Sequence, residues 1–142
     1  GNQPELVRAN AKGVLTLPAT KASIYGGRLI FEPKYQNLGW WERQDDHAIW
    51  TIETARPGRY RVEFDFACHA NHAGSSFILT VGPARLTGRV PSTGTWDDYV
   101  QKSFGEIQLA GGADELVVRS VGEPRSAMID LRTVRLIPID KR

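Results

Sequence analysis

Cysteine and long hydrophobic runs are what this sequence has least of. Cys68 is the single cysteine among 142 residues, which excludes an internal disulfide and leaves a hydrophobic core to hold the fold together. A chain of this length can bury such a core as one domain without a metal or a disulfide. No apolar run approaches the roughly 20 residues that cross a bilayer, so a membrane-spanning helix is excluded.

An excess of one charge is also missing. The 18 basic residues are scattered among 16 acidic ones, and the formal net charge is +2. Nucleic-acid-binding surfaces are built from clustered basic residues, so we do not expect nucleic acid as a partner. The sequence also contains no glycine-rich phosphate loop and no dinucleotide-binding fingerprint.

Helical spacing is absent as well. No segment of ten or more residues places apolar side chains three and four positions apart behind a capping residue, so little or no helix is expected. Residues 59–66 instead alternate between apolar and charged side chains, which predicts a strand with one buried face. Further strands are predicted over residues 14–17, 28–31, 48–53, 77–81, 84–90, 99–109, 115–120 and 128–137. Such a series of short strands is typical of an all-β sandwich or jelly roll.

The domain organisation follows from where these strands lie. We expect residues 1–12 to form a flexible N-terminal segment or to be a remnant of tag removal. Gly1 to Arg8 carries no signal-peptide pattern. Residues 13–142 contain all the predicted strands and no internal repeat. We therefore expect them to form one β-sandwich.

Two adjacent tryptophans, Trp40 and Trp41, lie in a polar, glycine-containing segment that is predicted to be a loop, residues 36–46. Two successive side chains of an extended chain point in opposite directions. One indole is therefore expected to pack inward while the other faces solvent, where its ring can stack on the C–H face of a sugar. The alternative, that both tryptophans pack at the edge of the core, stays open.

A third tryptophan, Trp96, lies in a second predicted loop, residues 91–99. Because loops at one end of a sandwich converge, Trp40 and Trp96 can form two walls of one cleft. The carboxylates of Asp97, Asp98 or Asp130 would then accept hydrogen bonds from sugar hydroxyls. The candidate ligand-binding residues are Trp40, Trp96, Asp130, Trp41 and Asp97.

Cys68, His69 and His72 place one thiol and two imidazoles within five residues. This cluster supplies only part of a tetrahedral zinc shell, and its spacing differs from that of structural zinc motifs, so no metal site is assigned. A reactive cysteine needs an electropositive, partly exposed setting, which the sequence does not indicate. A small buried cysteine at the end of a strand is the favoured interpretation.

Two pairs of adjacent carboxylates, Asp45–Asp46 and Asp97–Asp98, are the remaining candidates for catalysis. A glycosidase needs two carboxyl groups roughly 5 to 10 Å apart across a cleft. Adjacent acidic residues in loops are more often solvated turn formers. No catalytic residue is therefore assigned, and the chain is not expected to be an enzyme.

Five short motifs, in order across roughly residues 14–138, resemble those of family 6 carbohydrate-binding modules and of the related family 35. They are Asn37–Trp40, Asp46–Trp50, Pro57–Val62, Val90–Trp96 and Asp130–Leu136. The resemblance implies a galactose-binding-like β-sandwich jelly roll. It also implies a sugar site at one end of the sandwich, clasped by Trp40 and Trp96, with Asp130 where the family often has asparagine.

The same resemblance implies a structural calcium, but two departures count against it. The two glutamates that flank an alanine in the family correspond to Pro18-Ala19-Thr20 here, which removes two carboxylates from a cation that requires several oxygen ligands. Arg132 stands where the closing motif usually has an acidic or amide residue. No cofactor is therefore expected.

We interpret the chain as a non-catalytic carbohydrate-binding module that attaches a larger secreted protein to an oligo- or polysaccharide by aromatic stacking. The resemblance implies an extracellular or periplasmic location and neighbouring domains in a parent protein. The alternative is a structural or protein-interaction β-sandwich without sugar binding. An enzyme that uses the acidic pairs or the Cys–His cluster is a third hypothesis.

Overall fold

The computed structural model describes residues 1–139, which form two β-sheets and two single turns of 3₁₀ helix, Ala19–Lys21 and Ala70–His72. Within these residues there is no α-helix. The strands are Val7–Arg8 (β1), Leu15–Pro18 (β2), Ser23–Tyr25 (β3), Ile30–Glu32 (β4), Asn37–Gly39 (β5), His47–Thr54 (β6), Gly58–Ala67 (β7), Ser76–Val81 (β8), Ala84–Arg89 (β9), Val100–Leu109 (β10), Gly112–Ser120 (β11) and Asp130–Pro138 (β12).

The strands are divided between two six-stranded sheets. The first has the order β1–β6–β11–β8–β9, with β3 also paired to β6. The second has the order β10–β7–β12–β5–β4, with β2 also paired to β12. The chain crosses repeatedly between the sheets, which pack face to face as a jelly-roll sandwich. The predicted fold class is confirmed.

The core lies between the two sheets and includes the apolar face of β7. The alternation predicted over residues 59–66 is confirmed, because the apolar side chains of β7 are buried and the intervening charged ones are not. Phe64 lies 5.0 Å from Phe77 of the opposite sheet, measured between ring centroids. Fully burying one large apolar side chain stabilises a fold by roughly 1.5–3 kcal/mol, so this face anchors the sandwich.

Three short strands, β1, β3 and β5, are absent from the sequence-based prediction. The clearest of the three corrections is β5. Residues 36–46 were predicted to form a loop, but Asn37–Gly39 is a strand. Asparagine and glycine are poor strand formers. The strand forms because it pairs with Ile30–Glu32 on one side and with Leu131 on the other.

The first residues of the chain lie against the sandwich. Asn2 Nδ2 donates a hydrogen bond to the carbonyl of Ala22 at 2.7 Å. Val7 is buried, and β1 pairs in parallel with residues 52–53 of β6. These contacts attach part of the segment predicted to be flexible.

A β-bulge interrupts the start of β12, where Arg132 is the extra residue between Leu131 and Thr133. The bulge directs Arg132 toward Asp65, and its Nε donates to a carboxylate oxygen at 2.8 Å. Bulges often re-aim side chains beside functional sites. This one lies two residues from Asp130, at the end of the second sheet where the candidate site is found.

Candidate functional site

A pocket of about 350 Å³ opens at one end of the sandwich. It is lined by Glu32, Trp40, Glu42, His72, Trp96 and Asp130. A smaller pocket of about 190 Å³ shares Glu32, Trp96 and Asp130 with it and adds Lys34, Tyr35, Asn37 and Asp97. We refer to the two adjoining pockets together as the cleft. The larger one is at the lower end of the size range of small-molecule sites.

The segment Asn37–Trp40 builds one side of the cleft. Asn37 Nδ2 donates to Glu32 Oε1 at 3.0 Å, while Leu38 is buried in the core. A Cβ on Gly39 would lie 2.0 Å from Glu32 Oε1 and 3.0 Å from Asp130 Oδ1. Glycine at position 39 leaves room for both carboxylates against the backbone, and a side chain there would have to displace the Glu32 carboxylate.

Trp40 is exposed to 47% because its backbone turns outward directly after β5. Its φ of +60° lies in the left-handed region, a backbone conformation that residues other than glycine and asparagine seldom adopt. The guanidinium Cζ of Arg28 lies 5.3 Å from the indole centroid and covers one face of the ring, a cation–π contact. The indole is therefore held in place and still accessible.

Trp41 was predicted to be a ligand-binding residue, and the structure contradicts this prediction, because its side chain is fully buried. Its indole Nε1 donates to the carbonyl of Asp46 at 3.0 Å. The expectation that one of the two adjacent tryptophans packs inward is confirmed. Trp41 is a core residue, since no ligand can reach its ring.

Asp46 holds the turn that carries both tryptophans. Its two carboxylate oxygens accept four backbone N–H groups at 2.9–3.3 Å, from Arg28, Leu29, Glu42 and Arg43. The side chain is fully buried, so these bonds satisfy a carboxylate that is withdrawn from water. The adjacent Asp45 is exposed and faces a different pocket. The pair Asp45–Asp46 therefore lies outside the cleft.

The loop that carries Trp96 is bound to the chain segment after β7. The Thr93 hydroxyl accepts a hydrogen bond from the Cys68 amide at 2.9 Å, and the Ala70 amide donates to the Gly94 carbonyl at 3.1 Å. Asp98 accepts from the amide and the hydroxyl of Thr95, so it shapes the loop. These bonds hold the partly buried Trp96 at the mouth of the cleft.

The Cys–His cluster supports this loop. The His72 ring lies 5.4 Å from the Trp96 ring, between centroids, and His72 Nδ1 also contacts the Ser126 hydroxyl. Cys68 is fully buried, and burial, with the nearby charge of Asp130, raises the pKa of its thiol to about 11. The thiol is therefore protonated and does not serve as a nucleophile.

Glu32 and Asp130 form the floor of the cleft. The contacts that a Cβ on Gly39 would make place their carboxylates next to each other. Burial, and then the negative charge of Glu32, raise the pKa of Asp130 to about 7. In the absence of a ligand, Asp130 is therefore partly protonated near neutral pH.

Tyr99 lies beside this floor with its hydroxyl fully buried and, among the described residues, without a hydrogen-bond partner. Burial, and then the charge of Asp130, raise the pKa of the hydroxyl, while Arg132 opposes the shift. The guanidinium Cζ of Arg132 lies 4.1 Å from the ring centroid. Tyr99 is therefore a neutral donor close to the floor carboxylates.

Asp97 lies in the smaller pocket, where it accepts a hydrogen bond from the Tyr35 hydroxyl at 2.9 Å. The structure thus brings Trp40, Trp96, Asp130 and Asp97 to one cleft. The sequence analysis missed the other lining residues, above all Glu32 and Tyr35. Glu32 is the last residue of β4 and Tyr35 lies in the turn after it. Neither position shows a sequence pattern that indicates a ligand site.

The residues that correspond to the family's calcium position do not fit that ion. Ala19 is buried, and the carbonyl of Pro18 accepts the indole N–H of Trp50 at 2.8 Å. The carbonyl of Thr20 accepts the amide of Gln3 at 2.6 Å. A hard cation also needs carboxylate ligands, which this stretch lacks.

Across residues 1–139, no three or more histidine, cysteine, aspartate or glutamate side chains are grouped so that they could hold a metal ion. No helix formed by the described residues is long and apolar enough to cross a membrane.

The comparison with known proteins gives fold relatives only. No family model matches the chain, and no curated protein matches it. Among solved structures, a family 35 carbohydrate-binding module from Cellvibrio japonicus superimposes with a TM-score of 0.73 at 15% identity, over 91% of this chain and 96% of the module. The family 6 module of lichenase 5A from Cellvibrio mixtus, solved with cellotriose, gives a TM-score of 0.69 at 16% identity. This match covers 88% of this chain and 97% of the module.

A quite different protein shares the same fold. The mosquito-larvicidal Cry4Aa toxin of Bacillus thuringiensis matches 97% of this chain with a TM-score of 0.68 at 14% identity. The chain spans about a quarter of that toxin, since the match covers 25% of its length. The chain has the fold of family 6 and family 35 carbohydrate-binding modules.

Proposed function

We propose that this β-sandwich binds a carbohydrate in the cleft between Trp40 and Trp96 and carries out no chemistry on it. The observation that carries the proposal is that an exposed and a partly buried indole line one pocket above a carboxylate floor. Sugars present apolar C–H faces and hydrogen-bonding edges. Aromatic walls and a polar floor match both features.

The rigidity of the cleft supports this proposal. Trp40 is held by Arg28, and Glu42 forms an ion pair with Arg28 at 3.1 Å. Trp96 contacts His72 and belongs to a loop that is hydrogen-bonded to Cys68. A ligand therefore meets side chains whose conformational entropy is already reduced, which favours binding.

The arrangement of acidic residues favours binding over catalysis. Glu32 and Asp130 both contact the space above Gly39 and lie side by side on one floor. A glycosidase instead places its two carboxyl groups on either side of the bond that it cleaves. Asp98 and Asp46 are occupied by hydrogen bonds within the chain.

We further propose that the domain attaches a larger secreted protein to a glycan. The structural neighbours support this setting, because they include a family 6 module of a lichenase and a family 35 module within a Podospora anserina β-(1,4)-mannanase. This match covers 29% of the length of the mannanase. A module of this kind would raise the local concentration of a catalytic partner at its substrate.

The test is binding of soluble oligosaccharides and polysaccharides to the intact chain, with Trp40→Ala and Trp96→Ala measured in parallel. We expect each substitution to weaken binding by at least about tenfold, or about 1.4 kcal/mol. Tyr25→Ala is the matched control, since Tyr25 is also 47% exposed but does not line the cleft. Absence of binding by a folded wild-type chain would overturn the proposal and favour the structural or protein-interaction alternative.

A further inference from the structure

We propose that the cleft selects a sugar with a free, protonated amino group, whose ammonium is bound by Glu32 and Asp130. This inference rests on the proposed function and adds the chemical class of the ligand. Its basis is the charge and hydrogen-bonding balance of the floor, which differs from that of the rest of the protein.

The cleft is negative on a protein that is positive overall. The chain has a formal net charge of +2, whereas the residues that line the cleft include four carboxylates and one lysine. Two of the carboxylates already have partners. Glu42 is paired with Arg28, and Asp97 accepts the Tyr35 hydroxyl. The carboxylates left without a charged or hydroxyl partner are therefore Glu32 and Asp130, and a bound cation would favour the ionised form of Asp130.

These two carboxylates also have few donors around them. Glu32 accepts one hydrogen bond, from Asn37, and Asp130 accepts none from the described side chains. An ionised carboxylate can only accept, and its two oxygens offer about four lone-pair directions. Both side chains are partly buried, and a partly desolvated acceptor that lacks donors is destabilised. A ligand that brings several donors to this floor removes that cost.

An ammonium group meets this requirement better than a hydroxyl group does. It carries three N–H donors and a positive charge, whereas a hydroxyl offers one donor and no charge. Hydrogen bonds between ionised partners are roughly twice as strong as neutral ones. A uronic acid would instead place a third carboxylate against Glu32 and Asp130, and like charges at short range repel each other.

The two tryptophans explain why the cation should be carried by a sugar. Trp40 and Trp96 line the same pocket as the floor carboxylates, so a ring that stacks on an indole can direct a substituent toward the floor. Non-specific attraction does not account for binding of a polycation here, since the protein itself has an excess of positive charge. The preference must come from the cleft.

The experiment compares four oligosaccharides of equal length by calorimetry at neutral pH. They are an oligomer of glucosamine, its fully N-acetylated form, a neutral β-glucan oligomer and an oligogalacturonide. We expect the glucosamine oligomer to bind at least about tenfold more tightly than its acetylated form, and the galacturonide to bind most weakly. Glu32→Gln and Asp130→Asn should each reduce this preference to less than about threefold.

Asp45→Asn is the control variant, because Asp45 is an exposed acid outside the cleft, and its preference should equal that of the wild type. Equal or tighter binding of the neutral or acetylated oligomer by the wild-type chain would overturn the inference and leave the proposed function intact. So would a preference that persists in both carboxylate variants. Failure of all four oligomers and of a wider glycan panel would overturn the proposed function itself.

Discussion

Two carboxylates, the fully buried Asp46 and the partly buried Asp130, lie in contrasting parts of this molecule. Asp46 is fully buried in the turn behind Trp40 and accepts four backbone N–H groups. Asp130 lies on the floor of the cleft, and within the described residues its carboxylate accepts no hydrogen bond. Its pKa is raised to about 7 by burial and by Glu32.

The comparison separates a structural from a binding role for the same chemical group. A buried carboxylate that is saturated by backbone donors holds the chain in one conformation. A carboxylate that the protein leaves without donors is destabilised, and it gains when a ligand supplies them. The same substitution at the two positions should therefore have opposite effects.

The largest effect is expected for Asp46→Asn. The amide of asparagine can accept from only some of the four N–H groups, and its own NH₂ would face the others. We expect the free energy of unfolding to fall by about 3–5 kcal/mol, measured by urea denaturation. Asp45→Asn, next to it but exposed, should change stability by less than about 0.5 kcal/mol. Similar losses for both variants would contradict the structural role of Asp46.

The second prediction concerns Asp130→Asn and pH. The folded-state pKa of Asp130, about 7, lies above its ordinary value of 3.8, so folding favours the protonated form. Its contribution to stability is full below about pH 4 and is lost as the pH rises through 7. Each pKa unit corresponds to about 1.4 kcal/mol, which gives a loss of about 2–4 kcal/mol after allowance for partial solvation.

The check is urea denaturation of the wild type and of Asp130→Asn at several pH values between about 4 and 8. Asparagine does not titrate, so the variant should lack this part of the pH dependence and should be the more stable protein at the alkaline end. Parallel curves for the two proteins would show that Asp130 is ionised as readily in the folded state as in the unfolded chain.

Gly39→Ala should break the floor without changing a charged residue. The added methyl group would overlap Glu32 Oε1 at 2.0 Å and displace the carboxylate. Overpacking of this kind costs about 1–3 kcal/mol, and binding should be lost because Glu32 moves. Gly27→Ala is the matched control, since its nearest neighbour would be at an ordinary 3.4 Å. Thermal unfolding and glycan binding measure both effects.

The smallest effect is expected for Thr93→Val, which removes the hydroxyl that accepts the Cys68 amide. The volume is nearly unchanged, so stability should fall by about 1 kcal/mol. The Trp96 loop loses one attachment, and we expect binding to weaken by about two- to fivefold. Thr80→Val, on the strand β8, provides the control for the substitution itself. Unchanged binding would show that the remaining bonds hold Trp96 in place.

Much of this architecture follows from local sequence patterns, and the floor of the cleft does not. The alternation in residues 59–66 predicts β7 because it reflects the period of a strand. The opposite placement of Trp40 and Trp41 was predicted from the same period, but the left-handed backbone at Trp40 produces it in the structure. Glu32 meets Asp130 only because β4 pairs with β5 and β5 with β12. That contact joins residues nearly 100 positions apart along the chain, and no local pattern encodes it.

The positions of the tryptophans also give the protein a built-in optical reporter. Trp41 and Trp50 are fully buried, whereas Trp40 and Trp96 line the cleft, so the four indoles form one shielded and one accessible population. A small neutral quencher such as acrylamide should reach mainly the second population. Occupancy of the cleft can then be followed as the fraction of emission that becomes protected, without any label attached to the protein or its ligand.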